Sequence, residues 1–348
     1  EVDLSAEAFL LNGSTREEIW HAAIVDALGE KSDNYLKLVS KQLVGILLMI
    51  FVKKAHMPYI KEVRNDCVGV GLMGMMGNKG GTAIRFQFYD SFLCFVNCHL
   101  AADPNGLERR NQDYMEICRR MTFPLNTNEG YSSLYGWVGD YISPPAKYAA
   151  AAVVGMGGMV GIPGIASLVD TSPSPVGAGN VLSIFDNDHL IWLGDLNYRI
   201  DALPEYKVKE MVDNNELEDL LHFDQLNIQR MKQQAFSEFE EGKITFKPTY
   251  KYDVASRDFD KSDKRRIPSW TDRILWRSIK SEWCKQLIYR SHMDIGISDH
   301  KPVSAVFELK LRICPPEKED DDMIMHDNVI ILKDNGLHLE IIPDPVGQ

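Results

Sequence analysis

An acid and an amide two residues apart, Asp195 and Asn197, close the stretch Trp192-Leu193-Gly194-Asp195-Leu196-Asn197-Tyr198-Arg199, directly after an apolar run. Projected from a strand end, such a pair can cleave a phosphate ester without a covalent intermediate. The carboxylate takes a proton from an attacking water, and the amide holds the nucleophile or a phosphate oxygen. Gly-Asp-Leu-Asn is equally an ordinary turn signal. Asp299 and His300, in Ile297-Ser298-Asp299-His300-Lys301-Pro302, could supply an imidazole that binds or polarises a phosphate, with a carboxylate fixing its tautomer. A capping Asp beside an incidental His is the plainer alternative. A second imidazole, His99, ends the run Val96-Asn97-Cys98-His99-Leu100, and a further acid, Asp272, stands in Trp270-Thr271-Asp272-Arg273.

Charge narrows the chemistry. The 348 residues carry a net charge of −12, which disfavours a general nucleic-acid binder, since that needs a basic face to displace counterions. Positive charge is nevertheless concentrated locally. Residues 243–277 hold ten Lys/Arg against five Asp, a window of net +5. It suits an anionic substrate, although a solvated charged loop would read the same way. Cys284 and Arg290 match the Cys-x₅-Arg spacing of cysteine-based phosphatases, but the five residues between them include no Gly to form a phosphate cradle. Six cysteines with no CxxC pair argue against a disulfide framework and a zinc site, and suggest a reducing compartment.

These residues need elements to hold them. Apolar runs rich in β-branched and aromatic residues predict strands at 43–52, 82–88, 92–97, 190–193, 274–276 and 303–309. A capping box, Thr15 with Glu18, predicts a helix to about Leu28, and 107–121, 204–213 and 215–232 read as helices. Strands mixed with helices suggest sheets inside and helices outside. The uncharged run 148–169, rich in Gly and Ala and containing Pro163, has the length of a membrane span but reads better as a flexible insertion or an artefact of gene prediction. Residues 315–322 look like an acidic linker, followed by a hairpin signal at Asp334-Asn335-Gly336. The chain starts at Glu1 with no leader pattern, as a fragment of a longer protein would.

Taken singly these motifs are short, but their order is specific. The succession Glu, His-Leu, Gly-Asp-Leu-Asn, Trp-Thr-Asp-Arg, Ser-Asp-His resembles the endonuclease/exonuclease/phosphatase superfamily, whose fold is a two-layer β-sandwich flanked by helices. Gly77-Asn78-Lys79-Gly80-Gly81, Glu108-Arg109-Arg110-Asn111-Gln112-Asp113-Tyr114, Phe246-Lys247-Pro248-Thr249-Tyr250-Lys251-Tyr252-Asp253 and Lys264-Arg265-Arg266-Ile267-Pro268 are similar to signatures of the inositol polyphosphate 5-phosphatases. Phe223-Asp224-Gln225-Leu226-Asn227-Ile228-Gln229-Arg230 looks most like their type II branch, which includes the Lowe-syndrome (oculocerebrorenal) phosphatase. The likeness implies an α+β catalytic domain over 1–312, interrupted by an insertion at about 124–187. Residues 313–348 are then a linker and the start of a possible β domain. Glu1 stands where the family's metal-binding Glu follows a strand, so the sandwich is expected to lack its N-terminal strand.

The resemblance also implies roles. Glu1 would ligate Mg²⁺, which acts as a Lewis acid on the 5-phosphate of phosphatidylinositol 4,5-bisphosphate or a related inositol phosphate. Asp195 would activate water positioned by Asn197, and His300 would contact the phosphate, oriented by Asp272 or Asp299. His99 would stabilise charge on the phosphoryl oxygens. Asn78 and Lys79 would touch the substrate, while Tyr250, Lys251, Lys264 and Arg266 clamp a neighbouring 4-phosphate, with Arg265 lining the same patch. Implied too are a headgroup met at a membrane surface and a cytoplasmic, peripheral location on endosomal, Golgi or plasma membranes. Small GTPases could bind through regions outside this sequence. A nuclease of the same superfamily and a catalytically dead scaffold are the alternatives.

Overall fold

In the computed structural model the described residues are 16–71, 77–125 and 181–313, with two further strands at 328–332 and 339–342. The centre of the fold is a five-stranded mixed sheet in the order β3 (Ile60–Gly69), β4 (Gly80–Phe88), β5 (Ser91–His99), β8 (His189–Asp195), β9 (Asp272–Ser278). All neighbours are antiparallel except β5 and β8, which run parallel. Parallel pairing puts the C-terminal ends of β5 and β8 at one edge, and antiparallel β9 begins at that same edge. Period-two alternation in β4 predicts one wet face, yet almost the whole strand is buried. Arg85, on its polar face, is covered: its guanidinium lies 4.1 Å from the Phe92 ring and 3.5 Å from Glu62.

That burial arises because both faces of the sheet are covered. On one face lie a hairpin, β1 (Tyr35–Leu43) with β2 (Ile46–Lys53), and a second pair, β10 (Cys284–Ser291) with β11 (Val303–Ile313). Leu48 of β2 packs with Ile84, Phe86, Phe88 and Leu93. Ile191, Ile274 and Trp276 pack against Cys284 and the flank of β11. Full burial of each such side chain contributes about 1.5–3 kcal/mol. The expected two-layer sandwich is thus formed, but its second layer is split. Between β2 and β11 lies an apolar trough of about 420 Å³, walled by Ile50, Val52, Ala305 and Phe307 and floored by Phe86 and Phe95. The strand expected at 43–52 is in fact a hairpin turn and its second strand, since Val44 turns at φ 50° and sends β1 back along β2. β11 also pairs through Lys310–Ile313 with β12 (Asn328–Leu332), which pairs with β13 (Leu339–Ile342).

Helices cover the opposite face. The first described helix, α1 (Arg16–Leu28), lies instead against the β1–β2 hairpin, with Glu17 2.9 Å from Lys37 and His21 stacked on Phe51 at 5.7 Å; its expected cap Thr15 lies outside the described residues. α2 (Leu107–Arg120) buries Arg110, Asn111, Tyr114, Ile117 and Cys118, a stripe at helical spacing, with Tyr114 5.3 Å from Trp192. α3 (Glu205–Asp213) packs Val208, Met211 and Val212 into a cluster with Leu217, Leu220, Ile244 and Trp270. The helix expected at 215–232 is broken into α4 (Leu217–Leu220), a short 3₁₀ turn and α5 (Gln225–Met231). The break falls at Asp224, whose carboxylate caps α5 through the Asn227 amide at 3.0 Å and meets Arg273 at 2.9 Å. Of the second unit, 122–186, the described residues form β6 (Thr122–Pro124), paired antiparallel with β7 (Val181–Ser183). The apolar run at 148–169 lies outside the described residues. Among the described residues, no helix is long and apolar enough to cross a membrane.

Candidate active site

Three strands deliver three side chains in one row. His99 ends β5 and is the register partner of Asp195, which ends β8; Asp195 is in turn the partner of Asp272, which opens β9. The row depends on Gly194, at φ +133°, where a Cβ would meet the carbonyl oxygen of Cys98 at 2.0 Å, so only Gly lets β8 lie this close to β5. His99 Nε2 sits 3.3 Å from Asp195 Oδ2. Asn197 adopts φ 57°, turning back so that its backbone N–H donates to Asp195 Oδ1 at 3.0 Å and its Nδ2 to Oδ2 at 3.1 Å. His300 reaches the row from the loop before β11, with Nδ1 3.0 Å from Asp272 Oδ2. Asp272 therefore holds His300. Asp299 instead accepts from Lys251 Nζ at 2.7 Å.

The start of β9 is fixed from below. Leu196 N–H donates to Thr271 O at 2.7 Å, and fully buried Arg273 is bound by Asp224 at 2.9 Å and Glu241 at 2.7 Å. Removing one partner of such a buried network leaves an unpaired charge and costs about 3–5 kcal/mol. On the other side of the row, Ala101 N–H donates to Asp113 of α2 at 3.0 Å, holding the chain that leaves His99.

The two imidazoles are driven in opposite directions. Burial, helped by the Lys79 ammonium, pushes His99 down to about 3, so it is neutral at physiological pH. Burial also works against a charge on His300, but Asp272, with smaller help from Asp195 and Asp299, carries it up to about 9. The carboxylates divide likewise. Burial and the neighbouring charge of Asp272 raise Asp195 well above the usual carboxylate range. Asp272 is held below that range despite its burial, by His300 and by hydrogen bonds from Thr249 and Thr271. A neutral and a cationic imidazole thus flank one carboxyl with raised proton affinity and one fixed carboxylate.

The remaining residues expected at a site divide by position. The Tyr250 ring lies 4.6 Å from that of His300, and Lys79 Nζ is 3.5 Å from His99 Nδ1. Next to it, the buried Asn78 Oδ1 has no hydrogen-bond partner among the described residues. Lys264 and Arg265 are exposed and Arg266 half-buried. Their loop is tied to the site through the backbone: Arg266 N–H donates to Asp260, whose own N–H donates to Lys251 O at 2.9 Å. Glu1 lies outside the described residues.

The description "Endonuclease/Exonuclease/phosphatase family 2" matches residues 1–306. The crystal structure of the inositol polyphosphate 5-phosphatase domain of SPsynaptojanin, in complex with inositol (1,4)-bisphosphate and calcium ion, superposes with a TM-score of 0.63 at 30% identity. The match covers 85% of this chain and 71% of that one. The chain belongs to the inositol polyphosphate 5-phosphatases of this family. Mouse type II inositol 1,4,5-trisphosphate 5-phosphatase is 42% identical over 317 residues, which is 91% of the present chain and 27% of the relative. Human synaptojanin-2 is 32% identical over 89% of the chain and 19% of its own length. The chain thus spans 27% and 19% of the length of these two relatives. Ferrous nitrophorin of Cimex shares the fold at a TM-score of 0.56 and 21% identity, so the fold alone does not decide the chemistry.

Three further residues shape the candidate site, and sequence reasoning passed over them. Thr249 and Thr271 donate to Asp272 Oδ2 at 2.7 and 2.9 Å. Arg199 donates to Asn197 Oδ1 and, at 3.3 Å, to Ala102 O, while its guanidinium lies 4.3 Å from the Tyr250 ring. The signals were present: Thr271 directly precedes Asp272, and Arg199 ends the Gly-Asp-Leu-Asn-Tyr-Arg string. Each acts through a neighbour, so its type alone announces no chemistry.

Proposed function

We propose that this chain removes the 5-phosphate of phosphatidylinositol 4,5-bisphosphate and related inositol phosphates by direct attack of water, with Mg²⁺ bound, at the cytoplasmic face of endosomal, Golgi or plasma membranes. The observation that carries the reading is the row of His99, Asp195 and Asp272 at the ends of three adjacent strands, with His300 Nδ1 3.0 Å from Asp272 Oδ2. Asp195 takes the proton of a water held by Asn197. His300 presents a positive N–H to the phosphoryl oxygens, and Asp272 keeps that proton in place. Neutral His99 and the Lys79 ammonium meet the same oxygens from the other end of the row. Tyr250 and Lys251, with Lys264 and Arg266 from the attached loop and Arg265 beside them, hold the 4-phosphate. Lys251 exchanges part of its pairing with Asp299 for that anion.

The donor set fits a divalent cation. Asp195, Asp272 and His300 offer ligand atoms within 4.8 Å of one another, and the two carboxylates repel across adjacent strands. The carboxylate of Asp272, with Glu1 by family likeness, would hold a hard cation beside the base Asp195. When bound, the metal neutralises phosphate charge.

The test is phosphate release from short-chain phosphatidylinositol 4,5-bisphosphate in Mg²⁺, against abasic duplex DNA as the competing substrate. Release from the lipid alone supports the reading. Cleavage of the DNA alone overturns it in favour of a nuclease, and no turnover of either would make the domain a scaffold.

A further inference from the structure

Arg199 is 9% exposed, and its guanidinium engages two parts of the site at once. On one edge it grips Asn197 twice. Nε donates to the main-chain carbonyl at 3.1 Å and Nη2 to the side-chain Oδ1, while Nη2 also donates to Ala102 O at 3.3 Å. A guanidinium only donates, so the Asn197 amide must turn its oxygen to Arg199. Its Nδ2 then faces Asp195 Oδ2 and Leu100 O, each at 3.1 Å. Reversing that amide would set an oxygen against the Asp195 carboxylate. The flat face of the same guanidinium lies 4.3 Å from the ring of half-buried Tyr250, which stands 4.6 Å from the His300 ring and directly precedes Lys251.

The main chain under both residues is already fixed. Arg199 N–H donates to Gln225 Oε1 at 3.0 Å, and Ile200 N–H to Ser269 Oγ at 3.1 Å. Ser269 in turn exchanges two main-chain hydrogen bonds with Tyr250, at 2.8 and 3.2 Å. The link left to the side chains is the stack of one guanidinium on one ring. Lysine could not make it, since an ammonium has neither a planar fork for Asn197 nor a face to lay on Tyr250.

We infer that Arg199 is a positioning residue that couples the 4-phosphate clamp to the water holder: a 4-phosphate that fixes Tyr250 also fixes the guanidinium, and through it the Asn197 amide beside Asp195. The inference rests on the proposed function, which sets water at Asn197 and the 4-phosphate at Tyr250. It adds that the 4-phosphate raises kcat as well as tightening binding. Binding energy from a group that does not react is then used at the group that does. A contact that served binding alone would show only in KM.

The experiment measures kcat and KM of the wild-type protein, Arg199→Lys, Tyr250→Phe and Tyr250→Leu. The substrates are soluble inositol 1,4,5-trisphosphate and inositol 1,5-bisphosphate, which lacks the 4-phosphate. The ratio of the two kcat values within one variant does not depend on how much of the protein is folded. In the wild type kcat should be roughly fivefold or more higher on the trisphosphate. That advantage should shrink to within about twofold in Arg199→Lys and in Tyr250→Leu, which removes the ring. Tyr250→Phe, which keeps the ring, should raise KM and retain the advantage. Equal kcat on both substrates in the wild type overturns the inference. So does an undiminished advantage in Arg199→Lys, whether kcat falls equally on both substrates, as for a brace of the fold, or KM alone changes, as for direct contact with the anion. If Arg199→Lys does not fold, the Tyr250 pair decides, and the same kcat ratio in Tyr250→Phe and Tyr250→Leu overturns the inference. These failures leave the trisphosphate hydrolysed and the proposed function standing. Hydrolysis of neither compound by the wild type overturns both.

Discussion

Asp195 and Asp272 are register partners on adjacent antiparallel strands, so their carboxylates are held at one edge of the sheet by main-chain hydrogen bonds rather than by flexible loops. The energetic conflict between them is resolved by unequal surroundings. Asp272 receives His300, Thr249 and Thr271, whereas Asp195 is left with high proton affinity. Asp195→Asn keeps the shape and removes the base. It should lower kcat by on the order of 10²-fold or more with KM nearly unchanged. His300→Ala should do the same. Steady-state kinetics on a soluble inositol phosphate decides it, and a loss confined to KM would make both residues binding groups only.

The 4-phosphate contacts are separable from the chemistry by choice of substrate. Lys251→Ala and Arg266→Ala should each weaken kcat/KM for the 4,5-bisphosphorylated lipid by roughly 1–3 kcal/mol. On an inositol lipid bearing the 5-phosphate alone, the same variants should behave like wild type. Comparing the two substrates on each variant cancels general damage to folding. An equal loss on both would mean that the residues act through the overall field.

Stability should depend on pH through His300. Its folded-state affinity for a proton is raised, to about 9, above the ordinary histidine value near 6.5. The stabilisation is therefore fully present below about pH 6.5 and is lost as pH rises through 9. Urea unfolding in chelator should show a decline on the order of 3 kcal/mol across that window. His300→Gln should flatten it. A slope unchanged in that variant would place the proton elsewhere.

Catalysis should vanish in chelator and return with Mg²⁺, since neutralising phosphoryl charge supplies much of the rate. Cys284→Ser should leave the rate intact, because Cys284 is buried and its burial raises the thiol to about 12, far from a reactive thiolate. Loss of activity in that variant would revive the cysteine mechanism.

The residues proposed to act directly were legible because they sit at or next to strand ends, where polar residues border an apolar run. Asp195, Asn197, Asp272 and His300 all carry that mark. The resemblance left the orienting acid of His300 open between Asp272 and Asp299; the geometry assigns it to Asp272 and pairs Asp299 with Lys251. The contacts of Thr249, Arg199 and Lys301 were not legible, because they exist only once distant segments have met. Arg199 needs Tyr250, and Lys301 needs the carbonyls of Ser256 and Ile295. The β1–β2 turn was hidden inside an unbroken apolar run, with Gly45 its one local sign. β3 was missed because its side chains alternate with Lys61, Glu62 and Arg64, so charge masked the period. The break at Asp224 was set by a tertiary partner, Arg273, which no local window contains.

The trough between β2 and β11 bears on how the molecule behaves in a crowded solution. Among the described residues, β2 is paired only with β1, and the first half of β11 only with β10, so two rows of main-chain donors and acceptors face each other across an apolar floor. Such a slot is a template for any extended segment that arrives, including one from another copy. Aggregation tendency is therefore governed at a place remote from the chemistry. A charged side chain at Val306, on the rim, would act as a gatekeeper against self-association while leaving the row of His99, Asp195 and Asp272 untouched.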